Sequence, residues 1–359
     1  MNAFSLVANT IRGLAMDGVQ KAKSGHPGMP MGMADVAAVL YLKHLNYSPA
    51  NPAWPNRDRF VLSAGHGSML VYSLLHLAGY DLPLEELKRF RQWDSKTPGH
   101  PEFGHTAGVE TTTGPLGQGI ANAVGMAIAE RMLAARFNTA DRTIVDHRTY
   151  AICGDGCMME GLSHEACSLA GHLGLSKLVL IYDFNQITIE GKTALAYSDD
   201  VRKRFEGYRW NVLEMDAHDL AQVDQTLAAA KTEKERPTLI IARSVIGQGA
   251  PKLAGSAKSH GEPLGDEEVA AAKAALGLPP DRFFHVPEEV RALFAARAKE
   301  MEKRVAAWQE RMRHFRETAP EQAARWEQFQ QGQIPADLDR VLPAFDPASV
   351  PVVAAEDAE

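Results

Sequence analysis

Cysteine is scarce: Cys153, Cys157 and Cys167 are the only 3 thiols in 359 residues. A small, odd number in so long a chain excludes a disulfide framework. Cys153 and Cys157 have the spacing of a metal clip, but no further Cys or His set completes four ligands. They read as reduced, buried thiols. Positive charge is also short. The 38 Lys and Arg face 45 Asp and Glu, a formal net charge of −7. That argues against a surface built for nucleic acid or anionic membrane. No apolar run reaches the ~18 residues of a membrane span. Met1–Gln20 carries Arg12 and Asp17 inside its apolar pattern and matches neither a secretory nor a transit leader, so the expected compartment is the cytosol. What is present is an ordinary globular balance, 45% hydrophobic and 23% charged, in a chain long enough to bury a large core.

Apolar spacing predicts a helix over Phe4–Lys21, with Val7, Ile11, Leu14 and Gly18 on one face. Ser24-Gly25-His26-Pro27-Gly28 then breaks it. Further helices are predicted over Ala34–His44, Met69–Leu77, Gly119–Phe137, Met159–His172, Val201–Gly207 and Leu220–Lys234. In Gly119–Phe137 the small residues Ala121, Gly125 and Ala129 suit close packing against a sheet or a partner subunit. Strand-like runs lie at Arg59–Ser63, Thr149–Cys153, Leu178–Tyr182, Trp210–Glu214 and Thr238–Ser244. Strands alternating with helices imply an α/β fold: a parallel, doubly wound sheet with helices on both faces. Gln92–Gly119 is a long loop rich in Gly, Pro, Thr and His, and a loop of that length in a compact domain is usually functional. Pro287–Glu317 reads as one long connecting helix with a stripe of Val290, Phe294, Met301, Val305, Trp308, Met312 and Phe315. The tail Pro343–Glu359, rich in Pro, Ala and acids, reads as linker or frayed end. The organisation expected is one domain over 1–280 and a helical connection with a linker over 281–359.

The chemistry concentrates where strands end. Thr149–Cys153 runs into Gly154-Asp155-Gly156, and the next strand ends at Asp183-Phe184-Asn185-Gln186-Ile187. Glycines beside an acid let backbone approach a diphosphate closely. Asp155 can hold a hard cation through oxygen, with the Asn185 side chain and the Ile187 carbonyl as further oxygen ligands. Ligands in open α/β sheets bind beyond the carboxyl ends of the strands. A lone Gly-Asp-Gly is also a common turn. Paired with an asparagine at this spacing, each motif after a strand, it is a strong signal.

Gly154 to Asn185 resembles the thiamine diphosphate signature, and Cys153 to Gly161 resembles its transketolase form. Ser24 to Gly32, Ser63 to Gly67, His100-Pro101-Glu102, Thr112 to Gly119, Ile246-Gly247 and Ser259-His260-Gly261 match the same family in order, so the likeness runs from about residue 4 to about 340. The resemblance implies thiamine diphosphate and Mg2+, or Ca2+ or Mn2+, as cofactors. Asp155, Asn185 and the Ile187 carbonyl would hold the metal. His66, Gly114, Pro115, Leu116, Asp155, Gly156, Glu160, Asn185 and His260 would serve the cofactor, Glu160 near a subunit interface. His26, His100 and His260 would contact substrate, and His26 and His260 would act at the reacting oxygens. Phe184 departs from relatives, which often have a second Asp there. His44, His76, His105, His147, His164, His172, His218, His285 and His314 receive no role.

The implied activity is reversible transfer of a two-carbon ketol unit between sugar phosphates in the pentose phosphate pathway. In the family a second domain grips the cofactor's pyrimidine and supplies the activating glutamate, and a third domain follows. This sequence reaches only Pro351 to Glu356, about where the second would begin. The expectation is therefore a half-site, inactive alone and working as a homodimer or with a partner chain that carries the pyrimidine domain. A non-catalytic cofactor-binding or dimerisation module, and a dihydroxyacetone synthase-like enzyme, are the alternatives.

Overall fold

Continuous apolar runs, with no polar alternation, form the centre of the molecule. A computed structural model describes residues 2–334 and 338–341. Strands β1 (Arg59–Leu62), β2 (Thr149–Gly154), β3 (Leu178–Phe184), β6 (Asn211–Asp216) and β7 (Thr238–Arg243) make one sheet in the order β1-β2-β3-β7-β6. Every neighbouring pair is parallel. Residues Leu178 to Asp183 of β3 are all buried, as a strand covered on both faces requires. Strands β4 (Ile187–Thr188) and β5 (Gly191–Lys192) form a small antiparallel hairpin just after β3.

Helices cover the sheet. Gln118–Phe137 packs on β1 and β2, and Leu220–Ala230 packs on β6. The first helix, Ala3–Ala22, starts on an Asn2 cap and ends on a left-handed Lys23, which turns the chain into the His26 loop. Two expected helices differ in detail. Ala34–His44 holds as helix only to Val39, and Leu40–His44 widens into a π-helical turn. Met159–His172 is broken: Asp155–Met159 forms one short helix, Glu160 is extended at φ −73 and ψ 136, and Gly161–Leu173 forms the next. The small-residue face of Gln118–Phe137 does not meet the sheet. Ile120, Ala123, Val124 and Ala127 are buried instead, while Gly125 and Ala129 are exposed. A Cβ at Gly125 would meet nothing within 4 Å.

The chain divides into two units, Met1–Arg311 and Met312–Glu359. In the first, the stripe residues Val290, Phe294, Met301, Val305 and Trp308 of the Glu288–Thr318 helix are buried. Trp308 meets Trp54 edge-on, and its indole N–H donates to the Ile144 carbonyl at 2.8 Å. In the second, Met312, Phe315, Ala323 and Trp326 are buried, and Arg316 pairs with Glu327. The tail expected over Pro343–Glu359 lies outside the described residues. All three cysteines are buried and free. Among the described residues no helix is long and apolar enough to cross a membrane.

Candidate functional site

Six segments converge beyond the carboxyl ends of β1, β2, β3 and β7. The loop after the first helix brings His26. The turn after β1 brings His66, and the long loop brings His100, Gly114 and Leu116. The ends of β2 and β3 bring Asp155, Gly156, Glu160, Asn185 and Ile187, and the segment after β7 brings Ile246 and His260. All of these line one cavity of about 360 Å3. Of the residues expected at the site, Pro115 alone is not in its lining.

The acidic wall is held by neutral donors. Asp155 accepts from the Tyr182 hydroxyl at 2.6 Å and from the Gln186 N–H at 3.1 Å. Gln186 adopts a left-handed φ of 60° to aim that N–H. The Asn185 amide donates to Asp183 at 2.9 Å, and its Oδ1 accepts from the Ile187 N–H at 2.9 Å, so the amide orientation is fixed. The Ser244 hydroxyl also donates to Asp183. Burial pushes Asp155 up to about 6 and, with Asp155 nearby, Asp183 up to about 7. Among the described residues no lysine or arginine pairs with either carboxylate. Phe184 packs beside Tyr182 and under the Arg243 guanidinium, so it contributes apolar bulk where an acid was expected in relatives.

The same cavity is lined by histidines. The rings of His26 and His66 are 4.9 Å apart between centroids, His26 and His260 5.6 Å, and His66 and His260 5.2 Å. His100 lies against Gly114, whose Cβ position is 3.5 Å from the imidazole. Burial first, and the neighbouring rings next, hold His26 down to about 4 and His66 down to about 3. Burial lowers His100 and His260 as well. The cluster is therefore neutral near pH 7 and offers lone pairs as well as N–H groups.

The donor set fits a diphosphate ester with a divalent cation. A carboxylate, an amide oxygen and a backbone carbonyl at neighbouring strand ends are hard oxygen ligands. Gly156 packs directly against the Leu116 side chain, whose Cδ1 would stand 2.9 Å from a Cβ there. The His26 Nδ1 is buried with no hydrogen-bond partner, which suits a group that meets a bound molecule.

Comparison with known proteins agrees with this geometry. The family model described as "Transketolase, thiamine diphosphate binding domain" matches residues 4–335. The chain belongs to this transketolase family. It is similar to Transketolase 2 of Escherichia coli K12, 56% identical over 342 residues that make 94% of this chain and 51% of that protein. Transketolase 2 of Xanthobacter flavus is 56% identical over 329 residues, 91% of this chain and 48% of that protein. Among solved structures, the Leishmania mexicana transketolase aligns with a TM-score of 0.94 at 46% identity, covering 96% of this chain and 52% of that one. The Pichia stipitis transketolase in complex with sedoheptulose-7-phosphate aligns with a TM-score of 0.93 at 42% identity, covering 98% and 52%. The chain thus spans about half the length of the curated relatives it matches.

For this transketolase domain, the motifs located the lining but missed its supports. Tyr182 and Ser244 hold the two acids, and Met29, Cys157, Thr188 and Ile189 complete the cavity. Tyr182 had a signal, its place one residue before Asp183 at a strand end. Met29 lay within the matched Ser24–Gly32 motif, and Ser244 had no signal, because its partner Asp183 comes from distant chain.

Proposed function

We propose that this chain supplies the diphosphate-binding half of an enzyme that transfers two-carbon ketol units between sugar phosphates, with thiamine diphosphate and a divalent cation such as Mg2+. The observation that carries the reading is the shared cavity: three mutually packed histidines line it together with Asp155, Asn185 and Ile187. The Pichia relative solved with a sugar phosphate supports the substrate class.

The cofactor, when bound, supplies carbanion stabilisation that no side chain offers. The chain's own residues do the rest. Asp155, Asn185 and the Ile187 carbonyl hold the metal, and Gly114, Leu116 and Gly156 let backbone close on the diphosphate. Pro115 fixes the turn between Gly114 and Leu116. His66 and His260 donate N–H groups to diphosphate oxygens. His26, kept neutral by burial, accepts or returns a substrate hydroxyl proton together with His260. His100 orients a substrate hydroxyl. Glu160, set at the helix break, faces the partner's cofactor network. Residues 1–280 form the cofactor domain and 281–359 the connection toward a pyrimidine-binding domain, on a second copy or a partner chain.

The test is an assay of the purified chain with xylulose 5-phosphate and ribose 5-phosphate at saturating cofactor and Mg2+. No ketol transfer is expected alone, and some rate is expected once the complementary half is added. Turnover by the chain alone at the level of a full-length relative overturns the half-site. In the reconstituted complex, His26→Ala and His260→Ala should lower kcat by about 10²–10⁴. His100→Ala should mainly raise KM, and His66→Ala the cofactor requirement. If all four change cofactor affinity alone, the assignment of substrate chemistry to His26 and His260 is wrong.

A further inference from the structure

We propose that His218, in the turn after β6, is a positioning residue for the cavity: with Asp35 and Arg12 it forms a hydrogen-bond relay that fixes Val245, and with it the wall carrying Ile246 and His260. The Val245 N–H donates to His218 Nε2 at 3.0 Å. A backbone N–H has no lone pair to offer, so Nε2 accepts and the ring proton sits on Nδ1. Nδ1 in turn donates to Asp35 Oδ2 at 3.0 Å. Asp35 also receives the buried Arg12 guanidinium, whose Nε donates to the Met31 carbonyl at 2.9 Å and whose Nη1 donates to Asn9 at 2.8 Å. Burial pushes Asp35 up, but the contacts with His218 and Arg12 outweigh it and hold the group below its ordinary range, as a carboxylate.

Both ends of the relay reach cavity-building chain. On one side Met31 lies in the short helix Gly28–Gly32. On the other, Val245 precedes Ile246, and the Gly247 N–H donates to the Gly28 carbonyl at 2.9 Å. The two segments are in tight contact: a Cβ at Gly32 would stand 3.0 Å from the Val245 carbonyl oxygen, and one at Gly28 would stand 2.4 Å from that of Ser259, next to His260. A shift of Val245 is therefore transmitted to both walls. The ring suits the role because it donates at one nitrogen and accepts at the other across a rigid span, which lysine and arginine cannot do. His218 does not line the cavity, so it acts through Val245.

The effect on cofactor binding rests on the function proposed above, whereas the effect on the Val245 amide does not. Amide exchange of the full chain tests the relay. His218→Ala should speed exchange at Val245 by about tenfold while amides of β2 and β3 keep their rates. His218→Gln, whose Oε1 reaches the place of Nε2, should restore most of that protection and most of the thiamine diphosphate affinity lost in His218→Ala. An unchanged Val245 amide in His218→Ala overturns the proposal, as does a glutamine variant no better than alanine. Failure of the wild-type chain to bind the cofactor sinks the function instead, and leaves the exchange result to judge the relay. Should the alanine variant not fold, 15N NMR of wild-type histidine decides: the Nδ1–H tautomer at His218 is expected, and the Nε2–H tautomer overturns the relay.

Discussion

The two ends of the central sheet treat charge in opposite ways. At the amino ends of β1, β2 and β3, Glu110 and Glu130 are each held by a cation, while Asp58 is held by N–H groups. Arg57 grips Glu110 through two hydrogen bonds of 2.8 and 2.7 Å. Lys177 pairs with Glu130 at 2.6 Å and Asp146 at 2.9 Å. Asp58 accepts from the N–H groups of Asn46 and Arg148. At the carboxyl ends, Asp155 and Asp183 receive hydroxyl and amide donors but no cation, and the histidines are held neutral. At the first end Glu110 and Glu130 meet their cations within the chain. The second keeps oxygen and nitrogen lone pairs facing a cavity, an arrangement that stabilises little by itself and suits a ligand that brings its own charges.

If that contrast holds, substitutions at the two ends should separate binding from stability. The largest expected effect is at Asp155. Asp155→Ala should abolish the Mg2+-dependent part of thiamine diphosphate binding, and Asn185→Ala should weaken it less, because a neutral oxygen is lost in place of an anionic one. Calorimetry with and without chelator measures both; equal wild-type affinity in the two conditions would remove the metal role. Next, Arg57→Met leaves Glu110 nearly buried with only the looser contact to Arg59 at 3.8 Å. Urea unfolding should show a loss of about 3 kcal/mol, with cofactor affinity unchanged. A shift in affinity there would break the comparison.

Gly28→Ala sharpens it from the site side. The added Cβ would strike the Ser259 carbonyl, which is backbone and cannot step aside. A loss of about 1–3 kcal/mol is expected, together with weaker cofactor binding, since His260 must move. The smallest effect concerns pH. His66 and His26 sit well below their ordinary 6.5, so the unfolded chain binds protons that the folded rings refuse. Stability present above pH 6.5 is therefore lost as pH falls toward 4. Thermal unfolding at pH 7 and pH 5 should show His66→Asn losing on the order of 1–2 kcal/mol less than wild type over that span. An identical pH slope in the variant would mean that His66 titrates normally.

Much of the sheet was legible because β2, β3 and β7 are buried on both faces and read as unbroken apolar runs. The Asp155 and Asn185 motif was legible because both residues lie one position past or at a strand end, where α/β sheets bind ligands. The break at Glu160 was not, since Gly161 continues an acceptable helical pattern and only the chain's turn at the cavity interrupts it. The sequence leaves the face of Gln118–Phe137 open between sheet and partner, because small residues mark close approach without saying to what; the sheet alternative falls, since Gly125 and Ala129 are exposed. His218 had no signal at all: its partners, Asp35 and Val245, meet it only through the fold.

The order of strands also governs when the site can exist as the chain is made. β7 emerges last of the five strands but takes an interior place, between β3 and β6. Neighbours in the sheet are far apart along the chain, as Arg59 beside Thr149 illustrates. No local hairpin can preassemble the cavity, and such non-local pairing closes slowly. Until Thr238–Arg243 is inserted, β3 has an open edge beside Asp183 and Asn185, with its unpaired N–H and C=O groups available to other chains. A ribosome paused before Thr238 would thus hold a chain that has Asp155, Gly156, Asn185 and Ile187 but neither Ile246 nor His260, together with an open edge on β3. For this fold the interval between synthesis of β6 and docking of β7 is the hazardous one, and a chaperone that shields β3 during it would protect the cavity and the solubility of the nascent chain at once.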